Sequence, residues 1–135
     1  MEDTVFAKII RRELPADIVY EDDQTLAFLN IAPNTPGHTL VIPKNPSRNL
    51  LDIEDRDAEA LIRSVKKVAL ALKTALSADG ITIKMNNEAA GGQLVFHAHM
   101  HVIPRHDGDD YASGPKGPYP PGEASALAER IRAAF

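Results

Sequence analysis

Three histidines occupy every second position of an otherwise apolar run at residues 94–104. Successive side chains of a β-strand point to opposite faces, so this alternation predicts a strand with His97, His99 and His101 on one face. The apolar residues between and beside them are expected on the other face: Phe96, Ala98, Met100 and Val102. Imidazole can act as nucleophile, acid, base or metal ligand near neutral pH, so three of them on one element indicate an active site. The alternative is three unrelated histidines, each satisfied locally.

The rest of the chain predicts an α+β fold. Apolar residues recur at three- and four-residue steps after Asp55, a plausible N-cap, and predict a long helix that ends near residues 79–80. Short helices are predicted at residues 5–14 and 123–135, and further strands at residues 18–20, 25–31, 38–42 and 81–85. Five strands with few crossovers favour a five-stranded antiparallel sheet backed by one long helix and one or two short ones. The histidine strand can occupy the edge or the middle of that sheet.

Length and composition fit one globular domain over residues 1–135. The net charge of −4 argues against nucleic-acid binding. Residues 106–122 are rich in proline and glycine, which predicts an irregular or mobile segment before the C-terminal helix. No long apolar stretch follows the acidic N-terminus, so neither a signal peptide nor a membrane span is expected. The chain has no cysteine, which is compatible with a reducing cytoplasm, the expected location.

A zinc site is one interpretation of the histidine row. Zinc needs ligand nitrogens about 2.0 Å away in a tetrahedral array, whereas alternate residues of a strand stand about 6.5 Å apart and point in parallel. Two neighbouring imidazoles can converge on one metal ion, but three on a straight strand cannot do so comfortably, and no cysteine is present. We therefore expect no metal and no other cofactor.

Nucleophilic catalysis is the second interpretation, and it fits the row better. His99 can present a lone pair if a backbone carbonyl or His97 holds its far nitrogen. His101 is then placed to give a proton to a leaving group. A neutral nucleophile beside a protonated donor predicts a bell-shaped rate profile near neutrality.

Charge on a phosphoryl group would also require donors, and the preceding segment offers them. The candidates are the side chains of Asn86 and Gln93 and the backbone amides of Gly91 and Gly92. The alternative for Asn86 and the glycine pair is ordinary turn chemistry.

These residues resemble a known family. Residues 97–103 match the His-φ-His-φ-His-φ-φ signature of the histidine triad (HIT) superfamily, where φ is apolar. Segments similar to the family also occur in the expected order at residues 5–10, 27–31, 36–44 and 91–93. Together the matches span residues 5–105, so the resemblance rests on much more than one motif.

The resemblance implies hydrolysis or transfer at the α-phosphorus of a nucleotide through a nucleotidyl-histidine intermediate. It implies His99 as nucleophile, His101 as phosphate contact and proton donor, and His97 and His38 as supporting histidines. Asn86, Gly92 and Gln93 correspond to phosphate-binding positions, and Asn30 to a ribose-binding position. The positions that sandwich the nucleobase correspond to Phe6, Ile9, Phe28, Leu29 and Ile31. It also implies a homodimer in which two sheets join.

Two departures bear on the substrate. Asn30 stands where the phosphoramidase branch usually has Asp, and Leu94 replaces a hydroxyl residue common in that branch. The leading hypothesis is a purine nucleotide hydrolase, with nucleoside phosphoramidates narrowly ahead of dinucleoside polyphosphates. A nucleotide-binding regulatory module with little catalysis and a metal-binding protein are the remaining classes. No nucleic-acid or membrane partner is expected.

Overall fold

The computed structural model describes residues 3–110 and 115–135, and within them it contains five strands and three α-helices. The strands are β1 (Ile18–Glu21), β2 (Thr25–Leu29), β3 (Thr39–Pro43), β4 (Gly80–Lys84) and β5 (Met100–Arg105). The helices are α1 (Val5–Ile10), α2 (Asp55–Leu76) and α3 (Glu123–Arg132). Neighbouring strands pair antiparallel in the order β1-β2-β3-β5-β4. The predicted α+β fold with a five-stranded antiparallel sheet is confirmed.

The sheet separates two apolar clusters. The larger cluster lies between the sheet and helices α2 and α3, where Val41, Leu72 and Ile131 are fully buried. The smaller cluster lies between the sheet and α1 and consists of Phe6, Ile9, Leu26, Phe28, Leu40 and Ile42. Alternation along each strand produces this division, because neighbouring residues point to opposite faces. Among the described residues, no helix is long and apolar enough to cross a membrane.

Helix α1 is shorter than the sequence predicts. It begins after Thr4, whose hydroxyl accepts a hydrogen bond from the backbone N–H of Ala7, and it ends at Ile10 and not at residue 14. The chain reverses there because Arg12 has a left-handed φ of 62°. The amides of residues 13 and 14 then turn back to the carbonyl of Lys8.

Most other bounds differ from prediction by one or two residues. Glu54 and not Asp55 is the N-cap of α2, and Asp55 is the first helical residue. A carboxylate in the first turn still stabilises the positive end of the helix dipole. Helix α3 ends at Arg132, before residue 135. Residues 106–110 and 115–122 are irregular as predicted, and residues 111–114 of that segment lie outside the described residues.

The histidine strand is also shorter than predicted. Strand β5 begins at Met100, so His101 lies in the strand whereas His97 and His99 precede it. The ladder with β3 stops there because Pro43 at the end of β3 has no N–H, and the amide of Ala98 donates to Ser47 O at 2.8 Å. β5 itself lies between β3 and β4, in the interior of the sheet.

Candidate active site

Phe6 and the four predicted histidines form a connected row of rings on the α1 face of the sheet. Phe6 of α1 packs edge-on against His99, with ring centroids 5.0 Å apart. His99 and His101 have centroids 5.1 Å apart, and His101 and His38 are likewise separated by 5.1 Å. His97 lies at the far end, 6.2 Å from Phe6 between centroids. The common face predicted for the triad is therefore present, although the first two histidines lie outside the strand.

Backbone carbonyls fix the proton positions on His99 and His97. The Nδ1 atom of His99 lies 2.7 Å from the backbone oxygen of His97. The Nε2 atom of His97 lies 2.8 Å from the backbone oxygen of Pro43. A carbonyl oxygen can only accept, so each of these ring nitrogens carries the proton. Neutral His99 therefore has its lone pair on Nε2, which is the arrangement that a nucleophile requires.

A backbone amide fixes the protons on the other pair of rings. The N–H of Asn34 donates to Nδ1 of His38 at 3.0 Å, so this nitrogen is unprotonated. Neutral His38 must then carry its proton on Nε2, which lies 2.9 Å from Nδ1 of His101. His38 donates and His101 accepts. The proton of neutral His101 is thereby left on Nε2, where it can be donated to a bound group.

All four rings favour the neutral form. Burial, together with the charges of Lys84 and Arg105, lowers the pKa of His38 to about 4. Burial lowers the pKa of His101 to about 3, aided by His99, His38 and Lys84. Burial also lowers the pKa of His97 and of His99, against the opposing effect of the carbonyls that accept their N–H groups.

The surroundings of His101 oppose the second proton that the predicted protonated donor would need near neutral pH. His101 offers the N–H of a neutral imidazole, because its environment disfavours a second proton. A second proton on Nδ1 would also face the proton that His38 carries on Nε2. The acid side of the pH profile is consequently expected well below neutrality and not near it.

Gln93 does not fit the predicted role of phosphate donor. Its side chain is 3% exposed, and its Oε1 accepts from the amide of Glu88 at 2.8 Å and from Asn49 Nδ2 at 3.0 Å. Its Nε2 donates to the carbonyls of Arg48 at 2.7 Å and Val95 at 3.0 Å. Its own amide donates to Glu88 O at 3.1 Å. Gln93 thus holds the loop before the triad together and has no donor left for a ligand.

The glycine pair follows the alternative of turn chemistry. The amides of Gly91 and Gly92 donate to the carbonyls of Glu88 and Ala89, each at 3.0 Å. The prediction of Gly92 as a phosphate donor is therefore not matched in this conformation. Gly92 instead supplies a left-handed turn with φ of 92°. Asn86 donates from Nδ2 to Gly92 O over a long 3.3 Å bond at an exposed position, so its amide can turn to a ligand.

The residues predicted to contact a nucleobase divide between the two faces of the sheet. Phe6, Ile9 and Phe28 form one cluster beside the histidines. Leu29 does not fit this group, because the alternation of β2 turns its side chain into the core beneath α2. Ile31 lies beyond the strand and is 82% exposed.

Asn30, predicted to contact ribose, is half-buried between β2 and the turn that precedes β3. Its Oδ1 accepts from the amide of Ala32 at 2.9 Å, and its own amide donates to His38 O at 2.9 Å. Among the described residues its Nδ2 group has no hydrogen-bond partner. The half-buried side chain therefore keeps this donor available.

Two contributors to the site are missed by the sequence analysis. Lys84 of β4 lies directly opposite His101 of β5 in the antiparallel register, so both side chains are on the same face. The backbone of Asn34 sets the proton position on His38. The alternation of β4 predicts that the side chains of Lys84 and Ile83 lie on different faces of the sheet. The pairing of Lys84 with His101 depends on a contact between distant parts of the chain, which this alternation does not reveal. In residues 3–110 and 115–135, no group of three or more acidic, histidine or cysteine side chains is arranged to hold a metal ion.

Comparison with known proteins places this geometry in a family. The HIT domain family matches residues 11–108. An uncharacterized HIT-like protein of Borreliella burgdorferi is 50% identical over 113 residues, which cover 82% of this chain and 81% of that protein. The purine nucleoside phosphoramidase of Escherichia coli K12 is 42% identical over 103 residues, covering 76% of this chain and 87% of the enzyme.

Solved structures agree with the sequence comparisons. The crystal structure of a HIT-like protein from Bartonella henselae, described as involved in cell-cycle regulation, superposes with a TM-score of 0.91. The two chains are 46% identical, and the alignment covers 100% of this chain and 99% of that one.

Proposed function

The chain belongs to the HIT domain family, and we propose that it is a hydrolase acting at the α-phosphorus of purine nucleotides through a nucleotidyl-histidine intermediate. Its similarity to a purine nucleoside phosphoramidase supports a hydrolase role in general terms. The choice of phosphorus chemistry rests on the four rings. Imidazole is a good nucleophile toward phosphorus when it is neutral and its lone pair is correctly directed.

One observation carries the proposal: adjacent rings have complementary proton positions. His99 bears its proton on Nδ1 and its lone pair on Nε2, whereas His101 bears its proton on Nε2. A phosphoryl group bound in front of the row would meet a nucleophile and a hydrogen-bond donor side by side. Preorganised groups of this kind stabilise the charge that develops in the transition state.

The reaction would then occur in two steps. In the first, Nε2 of His99 forms a bond to phosphorus, the bond from phosphorus to the leaving group breaks, and the leaving group takes a proton from solvent while the Nε2–H of His101 donates a hydrogen bond to it. Attack leaves positive charge on the ring of His99, which then bears phosphorus on Nε2 and its proton on Nδ1 and lies 5.1 Å from His101 between centroids. In the second step, water attacks phosphorus, the bond to His99 breaks and returns its electron pair to Nε2, and the water proton is released to solvent.

Binding of the nucleotide would use the surroundings of the row. Phe6, Ile9 and Phe28, which are at most 9% exposed, would form the apolar and aromatic floor beneath a purine, with Ile31 as its exposed wall. Asn30 Nδ2 would donate to a ribose hydroxyl. Asn86 would turn its amide from the carbonyl of the glycine pair to a phosphate oxygen. Gln93 and Leu29 would support these positions from within the protein, and Gly92 would do so from the exposed turn before the triad.

We propose nucleoside phosphoramidates as the first substrate class. Dinucleoside polyphosphates are the second candidate, because the exposed ammonium group of Lys84 lies on the same face as His101 and could contact an anionic leaving group. A comparison of kcat/KM on adenosine monophosphoramidate and a diadenosine polyphosphate distinguishes the two classes. A larger kcat/KM on the polyphosphate would reverse the ranking. Slow turnover of both, with tight binding of AMP, would favour a regulatory nucleotide-binding module.

The nucleophile is tested by removing its ring. His99→Gly should reduce kcat roughly a thousandfold or more, because no other group forms the bond to phosphorus. AMP binding should remain within about threefold of wild type, since other groups hold the nucleotide. His106→Ala is the matched control, because His106 is exposed and lies beyond β5. Turnover at the wild-type rate by His99→Gly would refute the mechanism. As a second test, a quenched reaction with α-labelled nucleotide should leave acid-labile label on His99 of the wild type and none on His99→Gly.

We also propose a homodimer. Strand β4 lies at one edge of the sheet, and beside it β4 and α2 form a groove of about 290 Å³. Its apolar walls include Ile62 and Leu70 of α2, which are 52% and 58% exposed, and Ile83 of β4, which is 45% exposed. A second copy that continues the sheet across β4 would satisfy the edge and cover these side chains. Sedimentation should give a dimer mass for wild type and a monomer mass for Ile83→Asp, and a monomeric wild type would refute the dimer.

One domain over residues 1–135 and a cytoplasmic location complete the proposal. Helix α3 packs on the same apolar cluster as α2 through Leu127 and Ile131. The absence of cysteine from the chain is compatible with a reducing compartment.

A further inference from the structure

The turn at residues 33–37, between β2 and β3, carries the amide that sets the proton position on His38. Two contacts from β5 hold this turn: the hydroxyl of Thr35 donates to Pro104 O at 2.8 Å, and Arg105 Nη1 donates to Asn34 Oδ1 at 2.7 Å. The segment before α3 adds two more. The amide of Gly37 donates to the hydroxyl of Tyr119 at 2.9 Å, and the amide of Lys116 donates to the carbonyl of residue 33 at 2.9 Å.

Arg105 and Tyr119 are themselves fixed in place. Arg105 Nη2 lies 2.6 Å from Asp109 Oδ1, and the two side chains are only 12% and 19% exposed. Asp109 also accepts from the amide of His106 at 2.9 Å, so it is anchored at the end of β5. Tyr119 is half-buried, and burial raises the pKa of its hydroxyl. The turn is therefore held by groups that have little freedom to move.

We propose that Arg105 and Tyr119 are positioning residues for the reaction: by holding the turn, they keep the amide of Asn34 on His38 and so keep the proton of His101 on Nε2. This inference rests on the proposed function. It assigns a role to side chains that do not touch the substrate and act through two rings.

The physical basis is that a neutral imidazole has one proton and two nitrogens to hold it. With the Asn34 amide in place, a proton on Nδ1 of His38 would face another N–H, so the proton stays on Nε2. If the turn shifts, His38 can carry its proton on Nδ1 and accept from Nδ1–H of His101 instead. His101 would then present a lone pair to an anionic phosphoryl group, and such molecules would not react.

The test is the tautomer of His101 in variants of the turn. Long-range ¹H–¹⁵N correlation spectra of the imidazoles report directly which nitrogen is protonated. Wild type should show His101 protonated on Nε2. Tyr119→Phe and Arg105→Gln should each give a mixture of tautomers, with kcat lowered about twofold to tenfold and KM changed less than about twofold. Tyr119→Phe is the sharper variant, because it removes a hydroxyl and no charge.

Matched controls exist for both changes. Tyr20 is also half-buried with a bonded hydroxyl, which donates to Asp22 at 2.8 Å. Arg130, like Arg105, donates to an oxygen of a distant segment, in this case the backbone carbonyl of Ala75 at 2.9 Å. Tyr20→Phe and Arg130→Gln should leave the His101 tautomer and kcat unchanged. Thermal melts of every variant verify folding, and Asp109→Asn, which keeps Arg105, is the milder substitute if Arg105→Gln does not fold.

Two results would overturn the inference: His101 protonated on Nδ1 in wild type, or an Nε2 tautomer that persists unmixed in folded Tyr119→Phe and Arg105→Gln. Failure of the proposed function has a different signature. Wild type would then hydrolyse neither nucleotide substrate, whereas the tautomer spectra would still decide the positioning role.

Discussion

Gly37 is the residue of the turn whose substitution has the most predictable consequence. Its φ is +96°, and a Cβ at this position would lie 2.4 Å from Leu76 Cδ1 and 3.1 Å from Pro104 Cγ. An L-residue held at such a φ costs about 1–3 kcal/mol. The methyl group also displaces the side chain of Leu76, and overpacking of this kind costs about 1–3 kcal/mol. A less flexible unfolded chain offsets about 0.4–1 kcal/mol of these costs, so the unfolding free energy of Gly37→Ala should be lower by about 1–5 kcal/mol.

Urea unfolding followed by circular dichroism measures this loss as a lower midpoint at unchanged slope. The melting temperature should fall by roughly 10 °C for a chain of this size. Gly91→Ala is the control, because its Cβ would meet no atom within 4 Å and its φ is not positive, so its stability should stay within about 0.5 kcal/mol of wild type. Equal stability of Gly37→Ala and wild type would refute the argument from strain. Since His38 follows directly, kcat of the folded variant should fall as well.

Three further results are expected. Lys84→Gln removes a charge that lowers the pKa of His38 and His101, so the acid limb of kcat should move to higher pH, whereas Lys84→Arg should leave it in place. The melting temperature of wild type should fall as the pH drops from 6.5 toward 4, because the unfolded chain binds a proton that folded His38, with a pKa of about 4, does not. The melting temperature of His38→Asn should fall less steeply over the same pH range, and an equal slope would contradict the attribution of this loss of stability to His38. Leu72→Ala at a 0% exposed position should lose about 2–5 kcal/mol in urea unfolding and keep kcat at 20 °C.

Local periodicity accounts for the part of the fold that the sequence predicts. The three- and four-residue spacing of apolar residues in α2 and the alternation around the triad are each a pattern within one element. The buried face predicted for α2 and the common face predicted for the triad both agree with the structure. The early end of α1 has no such signal, because Arg12 adopts a left-handed φ that arginine rarely adopts. The start of β5 depends on where β3 ends, which is a contact between distant segments.

The same distinction divides the site. The histidines were predicted from one strand pattern and the resemblance, and the structure brings all four into one row. Leu29 was misassigned because adjacent residues of β2 point to opposite faces, and the motif alone does not say which face bears the site. The donor role expected of Gln93 does not match its contacts, because its partners include Asn49, 44 residues before it in sequence, which a local pattern cannot reveal. The amide of Gly92 donates within its own turn, to Ala89 O, as the alternative of turn chemistry predicts.

The tautomers of the row are determined by the backbone and not by the residue types around it. The partners of His97, His99 and His38 are two carbonyls, which only accept, and one amide, which only donates. A side-chain partner such as a hydroxyl could act in either sense, and the protons of the rings would then be free to exchange places. Substituting the His97 ring leaves the carbonyl of that residue available to His99, so such a change acts through the position of the segment. The direction of the lone pair on His99 thus follows from where the chain runs, which explains how a site with four neutral rings can distinguish its nucleophile from its donor.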